Sequence, residues 1–148
     1  MIKIVTDSTS YLSPEETERF DIRVVPLNVH FGEDQVFQEG ITINNEQFYA
    51  MLAEAPELPT TSQPSPGQFL DVFSEPTEAG HDVLCLVISS KLSGTYQSAL
   101  DAKRMLPDAN IVVIDSYSTV ACLALMVITA AEMAAGAAVH MHPPRRKG

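Results

Sequence analysis

Positively charged residues are scarce in this chain. Of its 148 residues only nine are Lys or Arg, against nineteen Asp or Glu, and the formal net charge at pH 7 is −10. Arg145, Arg146 and Lys147 are among the last four residues; without them six basic residues face nineteen acidic ones, a net charge of −13. Because such a charge repels phosphates, the composition argues against nucleic acids and anionic membrane surfaces as partners.

Cysteine is also rare. The two cysteines, Cys85 and Cys122, each lie in an apolar segment, which is typical of buried free thiols in a reducing compartment rather than of a disulfide framework. Residues 1–5 have the pattern of a first strand and lack the architecture of a signal peptide. We therefore expect a cytoplasmic protein.

One long apolar stretch, residues 121–139, has the appearance of a membrane segment. It is dominated by alanine and is interrupted by Thr129, Glu132 and Gly136. A bilayer span requires a longer and more hydrophobic run. The stretch therefore predicts a buried helix and no membrane span.

The remaining pattern predicts one α/β domain. Continuous apolar strands alternate with amphipathic helices, an arrangement typical of a parallel sheet covered on both faces, in three α/β/α layers. Helix starts are indicated where a cap residue is followed three positions later by Glu or Gln, at Ser13, Asn44 and Ser65. The predicted strands are residues 2–5, 22–27, 83–88 and 111–114, and the longest predicted helices besides 121–139 begin near residues 66 and 94.

Two hydroxyl-rich loops are the strongest functional signals. The loop SSKLSGT, residues 89–95, joins an apolar strand to a helix, and the unpaired N–H groups of a helix start hold small anions. Ser93, Gly94 and Thr95 stand at that start. A second loop, TTSQPSPG, contains Thr61 and Ser62 and also precedes a helix. We expect the two loops to converge on one ligand, although the same residues are common as plain caps and turns.

Polar residues also follow other predicted strands. Asp7 and Ser8 come after the first strand, and Asp115 and Ser116 after the last. Ligands of parallel sheets bind beyond the carboxyl ends of the strands, so Asp7, Ser8, Asp115 and Ser116, with Thr95, are candidates for the rim of the site. Their alternative role is that of simple turn formers.

Several enzyme motifs are missing. Neither phosphate-binding glycine motif occurs, neither Gly-x-x-x-x-Gly-Lys-Ser/Thr nor Gly-x-Gly-x-x-Gly, and no Gly-x-Ser-x-Gly elbow precedes a helix. A small serine-dependent hydrolase stays open as the alternative to a binding protein, because the chain offers Ser93, His30, His81, Asp7 and Asp115. The pair His140 and His142 lacks a third ligand nearby, and no metal site is expected.

A set of segments, taken together and in order, resembles the DegV family. The resemblance covers about the first four-fifths of the chain, and the TSQPS and SSKLSGTY segments are its most specific parts. The matching segments are TDSTS (6–10), PL (26–27), FQEG (37–40), TSQPS (61–65), SSKLSGTY (89–96) and IDS (114–116).

Membership of that family implies a bacterial fatty-acid-binding protein. The resemblance implies a two-lobed fold that buries the acyl chain between the lobes, and a non-catalytic carrier that needs no cofactor. It also implies that some members present a long-chain fatty acid to a partner kinase. By the family pattern, the residues that hold the carboxylate are Thr61, Ser62, Ser93 and Gly94.

The chain departs from the family pattern in two places. Where the family has a Ser-x-Gly-x-Gly run, residues 120–124 read VACLA, which adds bulk. Members are also about twice as long, so we expect an N-terminal DegV-like lobe over residues 1–138 followed by an atypical basic tail over 139–148. A lobe without its second half exposes an apolar face, which predicts a homo-oligomer and weakened fatty-acid binding.

Overall fold

The computed structural model describes residues 1–140, with side chains as far as residue 136. The predicted boundary at residue 138 therefore falls within a helix whose side chains are not described there, and residues 141–148 of the predicted tail lie outside the described residues. The strands are β1 (Ile2–Asp7), β2 (Arg23–Val25), β3 (Asn28–Phe31), β4 (Gln35–Gln38), β5 (Thr60–Ser62), β6 (Asp82–Val87) and β7 (Ile111–Asp115). The helices are α1 (Pro14–Phe20), α2 (Asn45–Glu54), α3 (Pro66–Glu78), α4 (Thr95–Arg104) and α5 (Val120–His140), and a short 3-10 helix covers Ser8–Ser10.

Four parallel strands form the main sheet, in the order β2-β1-β6-β7. Because successive strand residues point to opposite faces, the sheet has two apolar sides. On one side Val5 and Cys85 pack with Phe69 of α3 and Ala99 of α4. On the other side Ile4 and Leu86 pack with Leu123 and Val127 of α5. The predicted parallel sheet with helices on both faces is confirmed.

Helix starts follow the capping pattern of the sequence. Ser13, Asn44 and Ser65 each accept a side-chain hydrogen bond from the backbone N–H three residues on. The side chain of that residue in turn accepts a hydrogen bond from the backbone N–H of the cap residue. These reciprocal bonds satisfy backbone donors that a helix start otherwise leaves unpaired. Gly94 precedes α4 and offers no side-chain cap, so the first N–H groups of α4 are left to other partners.

A second, antiparallel sheet was not predicted. Its strand order is β4-β3-β5, with Val29 opposite Phe37 on one side and Thr61 on the other. The strands have three or four residues each, too short for a clear alternation of apolar and polar positions. Val29, Phe31 and Ile43 form a small core under α2. Residues 60–62, expected to be loop, are therefore the edge strand of this sheet.

Helix α5 corrects two expectations about burial. It was expected to be buried, but of its side chains up to residue 136 only the stripe Leu123, Val127 and Ala131 is buried, while Leu125 and Met133 are exposed. Cys122 is an exposed thiol, whereas Cys85 is buried as expected. One stripe of α5 is buried because the helix packs against a single face of the main sheet. No helix among the described residues combines the length and apolar content that a bilayer crossing needs.

Candidate functional site

A cleft of about 540 Å³ lies between the β6–α4 turn and strand β5. Thr61, Ser62, Ser93 and Gly94, the four residues proposed to bind a carboxylate, all line it. Strand β5 is at the edge of the small sheet, so one of its edges is free to face the turn. The geometry thus brings the two hydroxyl-rich loops to one cleft. The other lining residues are Thr9, Tyr11, Leu27, Glu39, Gln63, Ile88 and Leu92.

The β6–α4 turn places Ser93 two residues before the first residue of α4, Thr95. Ser93 Oγ accepts a hydrogen bond from the Thr95 backbone N–H at 3.3 Å and lies 2.9 Å from Thr95 Oγ1. The backbone N–H groups of Leu92 and Ser93 both donate to the Ser89 carbonyl, which closes the turn. Thr95 itself is fully buried. Thr95 therefore supports Ser93 from below and does not line the cleft.

Thr61 and Ser62 point to opposite faces of the small sheet. Thr61 lies opposite Val29, and Ser62 lies opposite Asn28, so strand alternation separates their side chains. Ser62 Oγ lies 2.8 Å from His30 Nε2. The Thr61 hydroxyl is thus the freer of the two for a ligand, whereas Ser62 already has a side-chain partner.

Gln63 and Gly94 bring the two loops into contact. A Cβ atom at Gly94 would lie 2.6 Å from Gln63 Nε2, closer than real Cβ contacts come. The missing side chain at Gly94 is what allows Gln63 to approach the start of α4. The loop after β5, which contains Gln63, is therefore in direct contact with the β6–α4 turn.

Asp7 does not line the cleft and instead links two strands by hydrogen bonds. Its side chain is fully buried and accepts hydrogen bonds from the backbone N–H groups of Thr9, at 2.8 Å, and Ile88, at 2.7 Å. Burial raises the pKa of Asp7, and the hydrogen bonds only partly offset that increase. Asp7 thereby joins the carboxyl ends of β1 and β6 from beneath the cleft.

Asp115 and Ser116 also hold backbone in place and do not line the cleft. Asp115 Oδ1 accepts from the backbone N–H groups of Ser90, at 3.1 Å, and Tyr117, at 3.0 Å. Burial opposes the change, but hydrogen bonds to Ser90 and Tyr117 leave the pKa of Asp115 lowered. Ser116 Oγ donates to the Ser118 carbonyl. This group fixes the β6–α4 turn to the end of β7.

Glu39 is a cleft residue that sequence reasoning did not select. Its Oε2 accepts from Ser8 Oγ at 2.6 Å, and its Oε1 accepts from the Tyr11 hydroxyl at 3.1 Å. Burial, and next the charge of Glu39, raise the pKa of Tyr11. Ser8, a candidate rim residue, thus faces Glu39 and a neighbouring cleft. The FQEG segment contains Glu39, but its partners are 28 and 31 positions away, so spacing could not reveal the contact.

Among the described residues, the serine and histidine side chains do not form a Ser-His-Asp catalytic triad. Ser93 pairs with Thr95, not with a histidine. His30 contacts Ser62, and no carboxylate bonds to His30 among the described residues. Within the same part of the chain no three His, Cys, Asp or Glu side chains come close enough to hold a metal ion.

Solved structures share this fold over nearly the whole described chain. A stearic-acid-binding protein from Eubacterium ventriosum superposes with a TM-score of 0.86 at 38% identity, covering 92% of this chain and 48% of its own. A fatty-acid-binding DegV family protein from Thermus thermophilus gives 0.82 at 37% identity, covering 91% and 48%. DegV from Bacillus subtilis, described as a fatty acid binding protein, gives 0.83 at 34% identity, covering 93% and 48%.

Curated sequences agree with the structures. A DegV domain-containing protein from Halalkalibacterium halodurans is 43% identical over 116 residues, which are 78% of this chain and 41% of that protein. One from Clostridium perfringens is 40% identical over 132 residues, which are 89% of this chain and 47% of that protein. The chain thus spans about half the length of the curated relatives it matches. The model of the DegV family, described as an uncharacterised protein family, matches residues 1–140, and the chain belongs to the DegV family.

Proposed function

We propose that this chain binds a long-chain fatty acid, with the carboxylate in the cleft lined by Thr61, Ser62, Ser93 and Gly94. The observation that carries the proposal is the convergence of the two hydroxyl-rich loops on one cleft. It is supported by structural relatives at 34–38% identity that are described as fatty-acid-binding proteins.

The energetics of such a ligand fit this kind of site. A C16 tail carries about 15 methylenes. At ~0.8 kcal/mol each, complete burial gives roughly 12 kcal/mol of gross driving force, and burial of about half of them gives roughly 6 kcal/mol. A carboxylate drawn in with the tail needs hydrogen bonds, because an unpaired buried charge costs more than the methylenes near it return. Hydroxyls of Thr61 and Ser93 and the N–H groups at the start of α4 can supply them.

The four residues have different parts in the proposal. Thr61 and Ser93 both line the cleft, and each contributes a hydroxyl to it. Gly94 offers the uncrowded backbone of the helix start, where the dipole favours a negative charge. Ser62 contributes its hydroxyl only after its contact with His30 is rearranged.

The wider role follows from the same proposal. The chain acts as a non-catalytic, cytoplasmic lipid carrier without a cofactor, and it presents the fatty acid to a partner kinase that phosphorylates the carboxyl group. We further propose that it self-associates through the apolar side chains left exposed on α5, such as Leu125 and Met133.

An NMR titration tests the binding site. Decanoate added to the ¹⁵N-labelled chain should shift the backbone amides of Thr61, Ser62, Ser93 and Gly94 first and saturably. The amide of Gly32, which lines a separate cleft beside α2, serves as the internal control. Saturable shifts confined to other surfaces, or no shifts at all, would show that the cleft does not bind the ligand.

One contact keeps a hydrolase as the second candidate. Ser62 Oγ and His30 Nε2 are 2.8 Å apart, the separation expected of a nucleophile and its base. A fluorophosphonate probe that labelled Ser62 in the parent but not in His30→Ala would favour an esterase. An unlabelled chain is the result expected of a carrier.

A further inference from the structure

The proposed headgroup cleft offers an anion neutral donors only. None of the described residues that line it is Lys, Arg or His, and its one charged side chain, Glu39, is acidic. A carboxylate held there depends on N–H and O–H groups, because an unpaired buried charge is costly. Among the lining residues Gln63 alone has a side-chain N–H group, since the other side-chain donors are hydroxyls. Gln63 is therefore the one side chain of this cleft that can offer nitrogen donors to the headgroup.

The Gln63 carboxamide lies against the start of α4. The position that a Cβ of Gly94 would take is 2.6 Å from Gln63 Nε2, 2.9 Å from Cδ and 3.0 Å from Oε1, so the whole amide group contacts this glycine. Gly94 immediately precedes α4, and unpaired N–H groups and the dipole at a helix start favour an anion. The amide is thus adjacent to the position proposed for the carboxylate.

The Gln63 side chain is available to a ligand although its backbone is fixed. No described residue forms a hydrogen bond with its Nε2 or Oε1, whereas its backbone carbonyl accepts from Asn28 Nδ2 at 3.5 Å. The residue before it, Ser62, ends β5, and the residue after it, Pro64, is fully buried. A donor on a fixed backbone loses little freedom on binding, and this one breaks no bond within the protein when a ligand arrives.

We propose that Gln63 donates a hydrogen bond from Nε2 to the fatty-acid carboxylate, and that this bond makes the cleft select an ionised carboxylate over an alcohol of the same chain length. The inference rests on the proposed function, since it requires the headgroup to bind in this cleft. A carboxylate accepts hydrogen bonds at both oxygens, and a bond to a charged acceptor is about twice as strong as one between neutral groups. An alcohol oxygen gains only the weaker bond.

The side-chain amide of Gln63 reports the contact directly in the ¹⁵N-labelled chain. Decanoate and decan-1-ol are titrated separately, below their aggregation limits, at about pH 7, where the free acid is ionised. Decanoate should shift the Gln63 side-chain NH₂ resonances saturably, with the same Kd as the backbone amides of Ser93 and Gly94. Decan-1-ol should shift them less. The side-chain NH₂ of Gln35, which lines the separate cleft beside α2, is the control and should not move.

Two substitutions separate hydrogen bonding by Gln63 from packing. Gln63→Met keeps the length of the side chain without its donors, and it should weaken decanoate binding about tenfold and decan-1-ol binding less than about threefold. Gln63→Glu keeps the shape and replaces the donor by a negative charge. It should weaken decanoate further, whereas the alcohol can donate to the new carboxylate. Gln35→Glu adds the same charge in the cleft beside α2 and should change neither affinity by more than about twofold. Thermal unfolding checks that each variant is folded.

The outcomes distinguish this inference from the proposed function. A selective loss for decanoate, together with a saturable shift of the Gln63 side-chain amide, supports selection by Gln63. Equal losses for both ligands, no loss, or an unmoved side-chain amide while Ser93 and Gly94 shift overturn that selection and leave fatty-acid binding standing. If the variants do not fold, the amide resonances of the parent decide. Failure of both ligands to bind the parent overturns the proposed function and the selection with it.

Discussion

The carboxyl of Asp7 gives a pH signature at the scale of one residue. Because burial raises its pKa above the ordinary 3.8, the folded chain binds this proton more readily than the unfolded chain does. The stability that Asp7 contributes is therefore complete below that ordinary value, and it is lost as pH rises through the raised pKa.

Asp7→Asn should destabilise the fold by about 1–3 kcal/mol, because the amide can replace only one of two acceptor oxygens. The difference in the free energy of unfolding between parent and variant should be largest in acid and shrink as pH rises, because the variant has no carboxyl at position 7 to titrate. Urea denaturation at a series of pH values from about 4 to 7 measures it. A deficit that grows with pH would contradict the raised pKa.

Ser93 is the single hydroxyl on which the proposed site depends most. Ser93→Ala should weaken fatty-acid binding by roughly 1.5–3 kcal/mol, the value of a hydrogen bond to a charged group, with little loss of fold. Ser90→Ala is the matched control, because Ser90 lies exposed in the same turn and uses only its backbone N–H, toward Asp115. Displacement of a fluorescent fatty acid measures both. Equal affinities of Ser93→Ala and the parent would remove Ser93 from the site.

Thr61 and Ser93 should be coupled if one carboxylate touches both. Thr61→Ala and Ser93→Ala are then non-additive, because after the first loss the headgroup shifts and the second costs a different amount. A double-mutant cycle on the same displacement measurement gives the coupling free energy. Strict additivity would place the two hydroxyls in separate sites.

At the scale of elements, the contact between Gln63 and Gly94 determines how closely the two loops meet. Gly94→Ala should displace the Gln63 side chain, because the new Cβ would lie 2.6 Å from its Nε2. The backbone of Gly94 has φ −77°, which alanine adopts freely, so any effect comes from the contact. We expect weaker ligand binding at nearly unchanged stability. Adding Gln63→Ala should remove the clash and restore part of the ligand affinity. If the double variant binds as weakly as Gly94→Ala, the contact with Gln63 is not the cause of the weaker binding.

The predictable elements are those whose signals lie close together in sequence. The caps Ser13, Asn44 and Ser65 act within three residues, and the apolar run of β6 fits only the centre of a parallel sheet. Strands β4 and β5 were not predicted because three or four residues are too few to show an alternation of apolar and polar positions, and β5 also pairs with residues of β3 about 32 positions away. Likewise the contact of Glu39 with Ser8 and the exposure of Leu125 depend on tertiary placement, which local pattern does not encode.

At the scale of the whole molecule, apolar side chains remain exposed over α5 and the edge strand β7. Leu125 and Met133 of α5 are 66% and 71% exposed, and Val112 and Ile114 of β7 are 49% and 36% exposed. Large apolar side chains left exposed in this way tend to be buried by association. We therefore expect a homodimer or larger assembly.

Sedimentation equilibrium at micromolar concentration measures the assembly. Leu125→Glu and Met133→Lys should shift the chain toward monomer, because each places a charge in the contact. Glu132→Gln, at an exposed position of the same helix, is the control and should leave the assembly unchanged. A monomeric parent would refute self-association.

The position of β1 between β2 and β6 has a consequence during synthesis. β1 is synthesised well before its partner β6, because the backbone N–H that Ile88 donates to Asp7 lies 81 residues later in the chain. At 5–20 residues per second this interval lasts roughly 4–16 s. Strands β3, β4 and β5 pair within residues 28–62 and can form meanwhile. During that interval one edge of the apolar strand β1 stays unpaired, so we expect β1 to be a binding site for chaperones on the nascent chain.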